Sequence, residues 1–286
     1  MSMKIGVTMA FSHLTPVSYI AAAARFIDEA GFHSIWVPEH VLFFPDYASR
    51  YPYSPDGRVP GNPEGVLDPF TALTFIAAQT QRVRLGTGVC LVPQRQPVYT
   101  AKMVADVDYL SGGRVDFGVG IGWLAEEFDA LGMDFSTRAK RCNEYIQAMQ
   151  ALWRDGVASF SGETVELPDC HFNPKPVQRP HPPIFFGGES NAALTRVATL
   201  GNGWYGYDLE PAGVRDRMVI LEEKLKAAGR KRSDIDVFIC PNRHRITADL
   251  VKGYQDAGVE QLIAPLFARD LNDLKRRAEL ILGAVG

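Results

Sequence analysis

Glycines placed at the ends of apolar runs are the residues here whose spacing could serve chemistry. The segment LSGGRVDFGVGIGWLAEEF (110–128) reads as a helix end, a tight turn, a buried strand, three alternating glycines (Gly118, Gly120, Gly122), then Trp123 and an acidic helix start. Glycine at a strand end lets backbone come close to a flat or phosphorylated ligand. The same event recurs at RVRLGTGV (82–89) and at PIFFGGESN (183–191). Three such strand ends in one chain point to a cofactor site. The GxGxG run does not fit a dinucleotide fingerprint, which needs GxGxxG in the opening strand–helix–strand unit and an acidic residue after the next strand.

Glu39 and His40 follow an apolar run in WVPEHVLFF. A histidine there could exchange protons near neutral pH or hydrogen-bond a cofactor ring. The pair could equally do no more than fix the long loop that starts there. His13 has a weaker version of the same claim, and His33, His171, His181 and His244 read as surface or loop residues. Gly187, Gly188, Glu189, Ser190 and Asn191 open a helix whose free amides suit an anion such as phosphate. Arg196 could add a cation, and Ser190 or Asn191 could be plain N-caps.

The elements that position these residues alternate. Strand patterns fall at Lys4–Met9, Ser34–Val37, Val83–Thr87, Val115–Val119, Pro183–Phe186, Gly203–Tyr205, Ile235–Cys240 and Glu260–Ala264. A helical pattern follows each, and Asp68-Pro69 marks one helix start as N-cap and first-turn proline. Eight such units in 286 residues predict an α/β fold, a single (β/α)8 TIM barrel spanning 1–286. Two stretches exceed the usual loop of about two to six residues, 38–66 and 154–182. Both are expected as insertions at the C-terminal rim. The first carries Phe43, Phe44, Tyr47, Tyr51 and Tyr53, and the second a short hairpin.

Composition narrows the classes. A net charge of −3 without basic runs argues against nucleic acid and membrane surfaces as partners. No apolar run approaches the ~20 residues of a membrane span. Four scattered cysteines without a CxxC pair fit a reduced cytoplasmic enzyme and argue against a structural metal site.

Taken together, these blocks resemble the luciferase-like monooxygenase superfamily, specifically its coenzyme F420-dependent oxidoreductase branch. GFHSIWVPEH, VRLGTGVCLVPQRQPVYTAK, DYLSGGRVDFGVGIGW with its EEF, the helix ending in ALW, and KPVQRPHPPIFFGGES followed by GNGWY carry the resemblance across nearly the whole chain. It implies hydride transfer between a deazaflavin and a small organic substrate, with Glu39 and His40 flanking the ring. It puts Gly88-Val89 where F420-dependent members have a non-proline cis peptide that backs the ring, with Thr87 also on the cofactor. Gly120, Gly122 and Trp123 would edge the ring, and Gly187, Gly188, Glu189 and Ser190 would hold the phosphate. The pocket would lie between ring and aromatic loop, with His13, Phe43, Phe44 and Tyr51 on the substrate. Relatives commonly pair as homodimers. The sequence leaves two rivals: reduced FMN with oxygen in a monooxygenase, and a flavin-binding barrel without turnover. Arg95, Lys102 and Arg138 are the cations along the rim that could meet a cofactor tail.

Overall fold

Short β-branched and aromatic runs, buried on both faces, form the strands, and amphipathic segments between them form the helices. A computed structural model of the protein describes residues 3–60 and 64–285; residues 61–63 of the first insertion lie outside the described residues. In chain order the first half holds β1 (Lys4–Thr8), α1 (Val17–Glu29), β2 (Ser34–Val37), α2 (Pro69–Gln79), β3 (Arg84–Thr87) and β4 (Cys90–Leu91). It continues through α3 (Pro97–Ser111), β5 (Val115–Gly120), α4 (Ala125–Ala130) and α5 (Arg138–Trp153). The second half opens with β6 (Ala158–Ser161), β7 (Glu166–Cys170), β8 (Ile184–Gly187), α6 (Asn191–Leu200) and β9 (Gly203–Tyr207). Helix α7 (Pro211–Ala227), β10 (Asp236–Cys240), α8 (Ala248–Asp256), β11 (Gln261–Pro265) and α9 (Leu271–Gly283) complete it.

Eight parallel strands close on themselves in the order β1-β2-β3-β5-β8-β9-β10-β11, with β11 returning to β1. The fold is the (β/α)8 barrel that the alternation predicts. Strand β1 pairs β11 in register from Lys4 opposite Gln261 to Thr8 opposite Pro265. The seam between β3 and β5 pairs Leu85 with Val115 and Gly86 with Asp116, and the Arg84–Asp116 ion pair braces it. Trp36, Phe185, Tyr205, Phe238, Cys240 and Ile263 plug the barrel interior, with Phe185 and Phe238 stacked at 4.3 Å. A larger apolar cluster fills the space between sheet and helices.

Helix starts follow the predicted chemistry. Asp68 accepts from the Thr71 amide at 2.9 Å, with Pro69 in the first turn. The second insertion contains the expected hairpin, β6 against β7, with Ser161 opposite Glu166. At the opposite end of the barrel from the strand carboxyl ends, Met3 and Val285 line one shared crevice. No helix among the described residues is long and apolar enough to cross a membrane. All four cysteines are free, three of them buried.

Candidate active site

Strand β2 delivers Glu39 and His40 to the carboxyl-end rim, beside a cavity of about 740 Å3. Glu39 lines the cavity but is buried, and its carboxylate is already engaged by protein groups. It accepts from the Leu91 amide at 2.5 Å and from the Arg95 guanidinium, which also holds Asp68. Burial pushes its carboxyl up, and Arg95 and the Leu91 amide pull against that rise. Glu39 therefore ties β2 to the turn after β4.

His40 is the pair's chemical member. Its Nδ1 donates to Glu127 Oε2 at 3.0 Å, and its Nε2 accepts from the Trp123 indole at 3.3 Å. The ring also packs on Phe43 at 4.6 Å. Glu127 lies on α4, directly after the glycine run of β5. Burial raises its carboxyl, but the His40 hydrogen bond and the Val41 and Leu42 amides outweigh that, so its pKa is lowered. Its neighbour Glu126 accepts from the Ala48 and Ser49 amides; burial raises this carboxyl too, but the Ser49 hydroxyl and the amides bring it down to about 2. The acidic start of α4 thus clamps the aromatic loop over the rim. That loop hangs Tyr47 and Tyr51 on Trp123, at 5.6 and 5.2 Å between ring centroids.

The floor of the cavity is backbone. Strand β3 stops at Thr87, whose hydroxyl donates to the Gly118 carbonyl at 2.6 Å. Gly88-Val89 follows as a cis peptide, after which β4 rejoins the barrel by pairing with β5. A Cβ on Gly120 would overlap the Val89 side chain, and one on Gly187 would press on it. Those two glycines leave a notch that seats Val89, so the Gly88-Val89 peptide is what faces the cavity. Tyr205 lies under this segment, with its hydroxyl nearest to any atom added at Gly88.

At the next strand end, Gly187 and Gly188 line the cavity but their two successors do not. Ser190 caps α6, accepting from the Ala193 amide at 3.1 Å. Glu189 accepts from the Tyr53 hydroxyl and from the Tyr207 amide, both at 2.9 Å. In this structure these two side chains serve the helix and the loop. Arg196, one turn into α6, is 6% exposed, and its Nε has no hydrogen-bond partner among the described residues. Burial lowers its pKa, and it in turn helps to lower that of Arg138, which donates to the Gly122 carbonyl at 3.3 Å. Arg138 therefore sits beside the Gly122 edge with Arg196 near it, and neither has a carboxylate partner among the described residues.

The structure brings together most of the residues singled out from sequence. His40, Phe43, Tyr51, Gly88, Val89, Gly120, Gly122, Trp123, Gly187 and Gly188 line one cavity. His13 does not: it is exposed and lies 3.7 Å from Glu64. Phe44 and Thr87 also stay off the cavity wall, as neighbours of residues that point inward. Lys102 is spent on Asp106 and the Asn173 carbonyl. Sequence reasoning did not assign Glu127 its hold on His40, nor Arg95 its hold on Glu39. It also missed Tyr205, Tyr207 and Asn242 on the far wall. The tyrosines had a legible signal in GWYGY, a strand too aromatic for a plain core. Among the described residues, no three His, Cys, Asp or Glu side chains cluster as a metal site.

Comparison with known proteins agrees with the fold. The uncharacterized protein Rv0953c of Mycobacterium tuberculosis is 34% identical over 212 residues, covering 73% of this chain and 74% of that one. The monooxygenase RslO1 of Streptomyces bottropensis shares the fold, with a TM-score of 0.79 at 22% identity, over 99% of this chain and 98% of its own. The coenzyme F420-dependent tetrahydromethanopterin reductase of Methanopyrus kandleri does so with a TM-score of 0.78 at 16% identity, over the whole of both chains. The sequence profile of the luciferase-like monooxygenases matches residues 3–269. With that match running through every strand of the barrel, the chain belongs to the luciferase-like monooxygenase family, and it is an enzyme of the flavin- or F420-dependent oxidoreductase kind.

Proposed function

We propose that this protein is an F420-dependent oxidoreductase that moves a hydride between a deazaflavin and a small organic substrate. The observation that carries the proposal is His40, fixed through Nδ1 by a buried carboxylate at the edge of a backbone-floored cavity, with Nε2 capped by the Trp123 indole. The fit to a planar ring with an anionic tail rests on two features. One is the glycine-backed Gly88-Val89 floor, where side chains stay out of the way. The other is Arg196 beside Arg138, where a buried guanidinium nitrogen without a hydrogen-bond partner among the described residues favours a nearby anion. The LGTGV and GVGIGW blocks favour a deazaflavin over FMN.

When bound, the deazaflavin supplies two-electron hydride chemistry. His40 then holds or moves the proton at Nε2, Glu127 sets the tautomer, and the aromatic loop excludes water. Gly187, Gly188 and the amides opening α6 hold the tail from one side, and Arg196 and Arg138 from the other. The reading includes a homodimer in the cytoplasm; Tyr99, Tyr109 and Leu110 are exposed on α3 around the Lys102–Asp106 ion pair, a face that a second copy could cover.

Fluorescence titration of the purified protein with F420 and FMN separately tests the assignment. Binding of F420 with turnover of carbonyl or alcohol substrates is expected. An Arg196→Met variant should bind F420 and FMN about tenfold more weakly while leaving phosphate-free riboflavin unaffected. Tight FMN binding with oxygen consumption would overturn the deazaflavin reading in favour of an FMN monooxygenase. Binding of either without turnover would favour a barrel that only binds.

A further inference from the structure

We infer that the substrate is a neutral, mainly apolar molecule carrying a hydroxyl or carbonyl group, and that carboxylates and phosphates are rejected. The inference rests on the redox reading of the cavity and deepens it by naming the substrate class.

Apart from tyrosines, only Glu39 and His40 bring titratable side chains to the cavity, and both are already engaged, by Arg95 and by Glu127. No lysine, arginine or aspartate lines it among the described residues. Three arginines of the rim loops are committed elsewhere. Arg95 holds two carboxylates, Arg58 donates to the Tyr47 carbonyl and covers its ring at 4.4 Å, and Arg243 pairs with Asp208 at 3.2 Å. Arg138 and Arg196 lie at the Gly122 edge, where the proposed cofactor tail would consume them. An anionic substrate would thus be desolvated with no counter-charge to meet it, an arrangement that costs far more than burying a neutral oxygen.

What the wall does offer is neutral. Tyr51, Tyr53, Tyr205 and Tyr207 bring four phenols to it, and burial pushes all four above the ordinary tyrosine range, so they stay protonated. Tyr53 donates to Glu189, and Tyr207 donates to Asn242 Oδ1 at 3.0 Å. Tyr51 and Tyr205 are left with neutral neighbours, the Tyr207 hydroxyl and the Cys240 thiol. Their hydroxyls are therefore the groups able to turn to a single hydroxyl or carbonyl oxygen. Phe43, Trp123, Leu91 and Phe267 supply the apolar remainder. A volume of about 740 Å3 admits a tricyclic ring together with a compact substrate.

Calorimetric titration with two near-isosteric ketones, 4-isopropylcyclohexanone and 4-oxocyclohexanecarboxylate, tests this. It is run on the protein alone and on the protein saturated with whichever of F420 or FMN binds. The isopropyl ketone should bind about tenfold or more tighter in both forms. In a Phe267→Arg variant, which places a cation at the 56%-exposed mouth position, that ratio should shrink by about threefold or more. Binding of the carboxylate to the wild type as tightly as the isopropyl ketone would overturn the inference, and so would failure of the neutral ketone to bind at all. Failure of the cofactor reading shows separately, in the F420 and FMN titrations, and leaves the ratio in the unloaded protein readable.

Discussion

With Nδ1 donating to Glu127 and Nε2 accepting from Trp123, the His40 imidazole is held as a single neutral tautomer with its lone pair facing the indole. Proton transfer at Nε2 then requires Trp123 to give way, which links the aromatic loop stacked on Trp123 to the chemistry. A Glu127→Gln change keeps the side-chain shape and the oxygen that accepts from Val41 and Leu42, but removes the charge. Turnover should fall by about 10- to 100-fold with KM little changed, measured as steady-state kinetics. The same substitution has a stability signature. Glu127 is held below its ordinary value of 4.5, so its ionisation stabilises the fold above that pH, and the contribution disappears as pH falls through the lowered value. Denaturant unfolding from pH 7 to pH 3 should show wild type ahead of the variant at neutral pH and the gap closing in acid. A gap that persists unchanged at pH 3 would contradict the assignment. This partnership was out of reach of sequence reasoning: the bonded residues are 87 positions apart, and EEF announces only a helix start.

The barrel strands were legible because each is a short run buried on both faces, and all eight predicted runs became barrel strands, including GWYGY, the weakest pattern. What escaped is instructive. Strand β4 is two residues long, and α4 is six, too short for either period to repeat. In the aromatic loop the composition announced a pocket, but not which rings would face it. Phe43 does and Phe44 does not, because adjacent residues on an extended segment point opposite ways. The spacing of the β5 glycines suggests room for a ligand, whereas Gly120 first makes room for Val89. Gly120→Ala should therefore destabilise the fold by about 1–3 kcal/mol, measured by thermal or denaturant unfolding, because the added methyl has no space against Val89. An unchanged unfolding midpoint would mean that Val89 can withdraw from the notch.

Across the whole molecule, the closure of the barrel separates two roles. Its carboxyl-end rim carries the cavity, the aromatic loop and the unpaired arginines, while the opposite end carries the crevice shared by Met3 and Val285. That crevice and the β1–β11 pairing have a consequence for connectivity. Lys4 lies beside Gln261, and Met3 and Val285 line the same crevice, so β1 and β11 close the barrel side by side. A short glycine-serine bridge between those positions, with new ends opened at the exposed hairpin tip Gly162-Glu163, should yield a circular permutant that keeps the barrel, since exposed loop tips tolerate such cuts. Circular dichroism and unfolding of the permutant would check it, a molten product being the contrary result. On this view, what the sequence order records is the sequence of rungs around a closed ladder, and any exposed gap between rungs could serve as its start.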